Sequence, residues 1–519
     1  MHSSAFRAAV LYAAWLGMFF FIFATSWVSE DTYITFRVID NFVQGYGLRW
    51  NVTERVQVYT HPLWLLLHLP FALLWNNLFQ LSIALSLACS SMAVGIVLLT
   101  FRKSLGITLV CFMLPLFLSK CFIEYASSGL ETSLSYLLFA MLGYAVIHWQ
   151  QRPLFPFIVS LLASLLLLNR LDHLLLIAPL LLVLGFLHEE KLRSFRGLLM
   201  LCAGALPLVG WLGFSLVYYG FLFPNTKYAK LDTGLPLSDY VMQGLQYMFI
   251  WLTQDTASVL VTVTALILGI RHKSLITRAL ALGIALNVAY VVYIGGDYMM
   301  GRFFAVIFFA ACWLLLASVP RLRPDILFAT ALALLLAYAT SYFVRDIRAS
   351  CEDCVPIRGR VMDARRTFGG NALFTSLWPP KMREAGQYKF RYDGEALAKE
   401  DPPPVKPLMY VGMQGYYAGP KVVIVDELAL ADALLARLPA RSDRPFYVGH
   451  YRRRLPKGYV DAVKDGTQGE MDSNLARYYD KLRLITQGDV WDKERLITII
   501  RFNLGQYDEY KHAFLHPPR

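Results

Sequence analysis

The chain has 519 residues, 56% of them hydrophobic and only 17% charged, with a mean hydropathy of +0.46. That composition excludes an ordinary soluble globular protein. The formal charge of +12 would suit a nucleic-acid binder, but the basic residues cluster at the ends of apolar runs, as membrane topology requires, so nucleic acid is not expected as a partner.

The first apolar run, about residues 8–27, reads as an uncleaved span rather than a signal peptide, because it is long and a polar motif follows it at once. Further runs fall near 79–101, 105–122, 131–148, 153–169, 172–188, 196–219, 256–271, 278–294, 303–319 and 325–344. A helix needs about 20 residues to cross a hydrocarbon core, so the expectation is about 11 transmembrane helices. The stretch 62–76 is apolar but short and reads as a helix lying at the interface, with 237–253 as a second candidate. After about residue 345 the chain turns polar, with Pro402-Pro403-Pro404 and no spanning run. The expected division is a transmembrane domain at 1–345, whose first outer loop covers 28–76, and a soluble mixed α/β domain at 346–519. Within the latter, Pro407 to Val411 and Val422 to Val425 read as strands, and Leu428 to Leu438 as a helix.

With the N-terminus in the cytoplasm, alternation puts every short basic loop on one side: Arg102-Lys103, Arg152, Lys191/Arg193/Arg196, Arg271/Lys273/Arg278 and Arg321/Arg323. The opposite side receives 28–61, 123–131, 169–172, 220–255, 295–302 and the soluble domain. The expectation is a multi-pass protein of the bacterial plasma membrane with its chemistry on the extracytoplasmic face. Charged groups at such boundaries are costly and mark wet, functional cavities.

Glu30-Asp31 follows the first span directly. Two adjacent carboxylates at a low-dielectric boundary have their pKa values pushed apart, so one can act as a base while the other binds or orients. An amphipathic segment follows, with Arg37 and Asp40 on its polar side, then the turn Gly45 to Asn51, then Glu54-Arg55 and Tyr59-Thr60-His61-Pro62. Ser128-Gly-Leu-Glu131 suits a capping box or a third carboxylate in the same cavity, and Asn169-Arg170-Leu-Asp172 suits a tight turn with a local ion pair. Asn225, Lys227 and Lys230 follow a span end, where an ammonium can meet a phosphate. Gly295-Gly-Asp297 through Gly301-Arg302 is a glycine-hinged loop with one acid and one base. His450 and the following arginines could reach a substrate. Cys351 and Cys354 are spaced for a disulfide in an oxidising compartment. No phosphate-binding P-loop, dinucleotide fingerprint, zinc-protease motif or nucleophile elbow is present. An outward-facing enzyme without a nucleotide site needs an activated substrate delivered by lipid, which a polyprenyl-phosphate-linked sugar satisfies.

The ordered blocks Glu30-Asp-Thr-Tyr-Ile-Thr-Phe-Arg37, Gly45-Tyr-Gly-Leu48, Glu54-Arg-Val56 and Tyr59-Thr-x-Pro-Leu-Trp64 resemble the opening of GT-C glycosyltransferases of the bacterial arabinofuranosyltransferase type. That family includes the mycobacterial terminal β-(1→2)-arabinofuranosyltransferases of cell-wall arabinan and related pilin arabinofuranosyltransferases. Ser128 to Thr132, Arg170-x-Asp172, Pro224 to Lys230 and Gly295 to Arg302 are similar to further blocks in the same order. So are Gly415 to Pro420, Ile424 to Asp426, Leu434 to Pro439, Gly449-His450 and Leu455 to Tyr459 in the soluble part.

The resemblance implies inverting transfer of an arabinofuranosyl residue from a polyprenyl-phosphate donor to a glycan or pilin-like acceptor. Asp31 or Glu30 serves as base. The family pattern has Asp at the first position where this chain has Glu30, so both carboxylates stand as candidates. Lys230, Arg302, Arg170, Lys227 and His61 are expected at the donor phosphate. Glu131, Asp172, Asn225, Asp297, Arg37, Tyr59 and His450 are expected at sugar and acceptor. No cofactor is implied, and a divalent cation is left open. The alternatives are the same fold using a mannosyl or aminoarabinosyl lipid, and a lipid-linked-sugar flippase, which would want charges midway along its spans.

Overall fold

The computed structural model describes residues 4–319, 323–340, 361–367, 387–443 and 447–516. Cys351 and Cys354 lie outside them. Among the described residues, the apolar runs before residue 345 are helical, as they must be where lipid offers no partners for backbone N–H and C=O groups. Four described helices are long and apolar enough to cross a membrane: Ser4–Ala24, Leu78–Thr100, Phe195–Tyr218 and Leu275–Tyr293. Helices Leu237–Gln254 and Thr256–Arg271 meet at a bend of 107° and pass the same test together. The other runs form apolar helices of 10–17 residues, among them Thr132–His148, Phe155–Asn169, His173–Leu187, Arg302–Ser318 and Pro324–Ala339. The chain is therefore a helical membrane protein, with four or five described helices that meet the length for a span, and the expected count of eleven includes the shorter apolar helices.

The chain folds as two compact units interleaved in sequence. The first comprises Met1–Ser29, Asn77–Leu208 and Leu237–Arg383, and the second Glu30–Asn76, Val209–Pro236 and Glu384–Arg519. The expected linear boundary near 345 is thus cut differently: the first outer loop packs with the polar C-terminal part.

In the first unit, helix Arg302–Ser318 is apolar all round, and its residues Phe304 to Leu316 are all buried. It packs on Thr256–Arg271, Leu275–Tyr293 and Thr132–His148. The 107° bend is held by Asp255, whose Oδ2 accepts from the Cys121 N–H at 2.8 Å and the Ser119 hydroxyl at 3.1 Å.

The second unit carries helices Thr32–Val43 and Pro62–Ala72 in the first outer loop, as the amphipathic pattern predicts. Strands β1 (Val405–Leu408) and β2 (Val423–Asp426) pair in parallel, Val405 opposite Val423. The first begins two residues earlier than its apolar run. A parallel pair needs a crossover, and helix Met413–Ala418 lies within it. The helix expected over Leu428 to Leu438 is absent apart from one 3₁₀ turn, Leu435–Arg437. Buried carboxylates account for this. Asp426 accepts from the N–H groups of Leu428 and Ala431 at 2.9 and 2.8 Å, Ala429 sits at φ 65°, and Asp432 accepts from the Leu435 N–H at 2.7 Å. Aspartate bonded to nearby backbone competes directly with helix.

Candidate active site

In the first unit, three separate loops bring five of the expected residues together. Glu131 is the N-cap of helix Thr132–His148 but makes no side-chain capping bond, so the capping box does not form. Its carboxylate instead takes Arg170 Nη1 at 2.8 Å and lies 3.5 Å from Arg302 Nη2. Arg170 ends helix Phe155–Asn169 in extended conformation and grips Asp172 with two bonds of 2.8 and 2.6 Å. Arg302 opens helix Arg302–Ser318 behind Gly301 and reaches Asp297 at 3.2 Å. The cluster is almost dry: Glu131 has no exposed surface and Arg302 only 9%. Burial alone would raise the Asp172 pKa, but Arg170 outweighs it and holds Asp172 below its ordinary value. The Phe303 ring lies 4.7 Å beneath the Arg170 guanidinium. Two cations and three acids at helix ends suit an anionic or hydroxyl-rich ligand that can join the network.

A second buried group in this unit escaped the sequence reading. Lys120 Nζ bonds Glu124 at 2.5 Å and Asp363 at 2.8 Å. Residues 361–367 dock here through backbone bonds, Met362 N–H to Tyr298 O at 2.7 Å and Met300 N–H to Met362 O at 3.0 Å. The signal was a lysine at the end of the apolar run 105–122. Its partner Asp363 lies too far along the chain for spacing to suggest it.

In the second unit, Glu30 and Asp31 open the helix Thr32–Val43, with Asp31 at its N-cap. Glu30 Oε1 accepts from the Met413 N–H at 2.8 Å, at the start of helix Met413–Ala418. A Cβ on Gly412 would come within 2.2 Å of that oxygen, so the turn closes over the acid only with glycine there. Burial, then the neighbouring Asp31, raise the Glu30 pKa to about 7. Tyr33, Phe36, Tyr416 and Tyr417 stack around the same corner.

Arg37 lies over the Trp50 ring at 4.2 Å and donates to three backbone carbonyls: Trp50 at 2.8 Å, Gly415 at 2.5 Å and Val422 at 2.8 Å. Its guanidinium is built into the fold, and burial lowers its pKa to about 9. Tyr59 shares a 2.7 Å hydroxyl contact with Tyr219, and His61 Nε2 meets Thr35 Oγ1 at 2.9 Å. Asn225 Nδ2 faces the carbonyls of Ala429, Leu430 and Asp432 at 3.0–3.1 Å, and Lys227 is exposed over the Phe223 ring. Tyr59, His61 and Asn225 are thus bonded within the second unit, while Lys227 stands at the surface. Lys230 and the turn at 447–450 do come together: a Cβ on Gly449 would sit 3.5 Å from Lys230 Nζ, beside the stacked rings of Tyr447 and His450.

Three further acids were legible as residues but not as a group. Burial raises Glu54 to about 8, Asp426 to about 7 and Asp432 to about 6, with Asp432 adding to the shift of the other two. Tyr459 donates its hydroxyl to Asp432 at 2.9 Å. Among the described residues, no three His, Cys, Asp or Glu side chains gather as metal ligands.

Two curated proteins are similar to this chain. Over 239 residues it is 28% identical to the terminal β-(1→2)-arabinofuranosyltransferase of Mycobacterium tuberculosis, a match covering 43% of this chain and 37% of that protein. Over 345 residues it is 24% identical to the protein of the same name from Corynebacterium glutamicum, covering 58% of this chain and 48% of that one. Both relatives are arabinofuranosyltransferases. The chain spans less than half the length of each. No family model and no solved structure matches it.

Proposed function

We propose that this protein is a membrane glycosyltransferase that moves an arabinofuranosyl residue from a polyprenyl-phosphate donor to a glycan or protein acceptor outside the cytoplasm, with inversion. The observation that supports the transferase reading is the buried Arg170–Glu131–Arg302 cluster, which sets two guanidiniums on one carboxylate at helix ends, a pair of cations that a phosphate could join. The sugar rests on the similarity to the two arabinofuranosyltransferases.

Asp31 takes the proton from the acceptor hydroxyl as that oxygen attacks the anomeric carbon. The bond from that carbon to the phosphate oxygen breaks, and the electron pair leaves with the lipid phosphate. The departing charge needs a cation, the role proposed for Arg170, Arg302 and Lys230. Glu30, whose Oε1 accepts from the Met413 N–H, is the alternative base. Placement of the charged residues also favours an enzyme over a flippase. Glu131, Arg170 and Arg302 all stand at helix termini and none midway along a helix.

The test is turnover of synthetic farnesyl-phosphoryl-arabinofuranose by the purified chain. Asp31→Asn should lose about 10²–10⁴-fold, the usual worth of a general base, with donor binding retained. Full activity in that variant overturns the mechanism. Consumption of a mannosyl or aminoarabinosyl lipid in place of this donor keeps the chemistry and replaces the sugar.

A further inference from the structure

Helix Lys493–Asn503, in the second unit, has two unlike faces. Arg495, Thr498, Ile499 and Phe502 are buried, and Phe502 packs its ring on Phe221 and Tyr478. The opposite face exposes Ile497, Ile500 and Leu504, spaced i, i+3 and i+7 at 39%, 61% and 70% exposure, and Trp491 just before the helix is 76% exposed. Large apolar side chains exposed along one face are costly in water unless something covers them.

The buried face shows where the helix stands. Arg495 donates to the carbonyls of Val217 and Tyr218 at 2.8 and 2.9 Å, and Asn503 Nδ2 donates to the Gly220 carbonyl at 2.8 Å. Those are the terminal carbonyls of Phe195–Tyr218, one of the helices long and apolar enough to cross a membrane, together with the turn that follows. Leu222 and Phe223, the next residues of that turn, are also exposed. The stripe therefore begins where a span ends. Charge at its margins is mixed, Lys493 and Arg501 against Asp492 and Glu494, so apolar burial rather than charge is the driving term.

We infer that helix Lys493–Asn503 is a membrane-surface docking element that lays Ile497, Ile500, Leu504 and Trp491 into the boundary between headgroups and acyl chains. Tryptophan is enriched at this depth because its ring is apolar and its N–H is not. The inference rests on the reading of Phe195–Tyr218 as a span and is independent of the transferase reading.

The test uses the full chain in nanodiscs of phosphatidylethanolamine and phosphatidylglycerol. The photo-crosslinker p-benzoylphenylalanine replaces Ile500, Leu504, Asp461 or Leu206, one at a time. Leu206 lies within the span and is 63% exposed, and Asp461 is an exposed polar position of helix Tyr459–Asp465. After irradiation, intact mass should show a phospholipid adduct at 206, 500 and 504, at least fivefold above that at 461. Adducts at 206 but not at 500 and 504 overturn the docking element alone. Crosslinks from 500 or 504 to a second copy of the chain also overturn it, in favour of a protein interface. No adduct at 206 removes the span on which the inference stands.

Discussion

Arg170 reaches Glu131 at 2.8 Å across 39 residues of sequence, and the acid it meets has no exposed surface. Removing a buried hydrogen-bonding partner costs about 1–3 kcal/mol. Glu131→Ala is therefore expected to lower the thermal midpoint, because the two guanidiniums lose their shared carboxylate while Arg170 keeps Asp172 and Arg302 keeps Asp297. Arg170→Lys keeps the charge and loses the two-point grip on Asp172. Its turnover should fall at least tenfold, with the larger effect on the KM for the lipid donor. An unchanged KM would remove Arg170 from phosphate binding.

Arg37 acts as a clamp. Arg37→Met takes the guanidinium from the Gly415 and Val422 carbonyls at about 1–3 kcal/mol each, while the Trp50 carbonyl keeps Asn41 Nδ2 at 3.0 Å, and Arg37→Lys cannot reach all three carbonyls from one ammonium. Both variants should open residues 412–422 to limited proteolysis, with Lys intermediate. A protected segment in Arg37→Met would show that the clamp is dispensable.

Gly412→Ala forces a methyl group against Glu30 Oε1. The turn must shift away from the acid. Overpacking of this kind costs about 1–3 kcal/mol. Turnover should drop several-fold, and pairing the change with Glu30→Ala should be less than additive, because both disturb one contact. Strict additivity in a four-variant cycle would separate the two positions.

The buried acids of the second unit set a pH dependence. Glu54 titrates at about 8 in the folded chain against an ordinary 4.5, raised by burial and then by Asp432. Between those values the unfolded chain releases a proton that the folded chain keeps, so stability falls as pH rises. Asp426 and Asp432 act in the same direction. Thermal midpoints should be higher at pH 5.5 than at pH 8.5. Glu54→Gln removes the cost of ionisation and should raise the midpoint at pH 8.5 by a few degrees, since about 1 kcal/mol moves a domain of this size by about 2–4 °C. It should change little below pH 4.5. Equal gains at both pH values would assign the effect to packing instead.

Much of this organisation is readable from the residues. Apolar periodicity locates every described membrane helix, and the two short helices of the first outer loop follow from Tyr33 to Phe42 and Pro62 onward. The Arg170–Asp172 pair is visible because its partners are two residues apart. What stays hidden depends on distant chain segments. Lys120 finds Asp363 across 243 residues, and the Asp426 and Asp432 carboxylates dissolve an apparent helix only once they are buried among backbone donors. Arg37 looks like a ligand-binding cation in sequence because the carbonyls it holds, Gly415 and Val422, lie nearly 400 residues on.

The terminal carbonyls of helix Phe195–Tyr218 take their donors from Arg495, 277 and 278 residues later, and Gly220 takes its own from Asn503, 283 residues later. A helix end without donors relies on water. Arg55 Nε also reaches the Tyr218 carbonyl, at 3.1 Å, and precedes it in the chain, but the Val217 and Gly220 carbonyls meet their side-chain donors only once Arg495 and Asn503 have been made. Those two residues close this end of the helix, and a chain cut short before Arg495 leaves it to water.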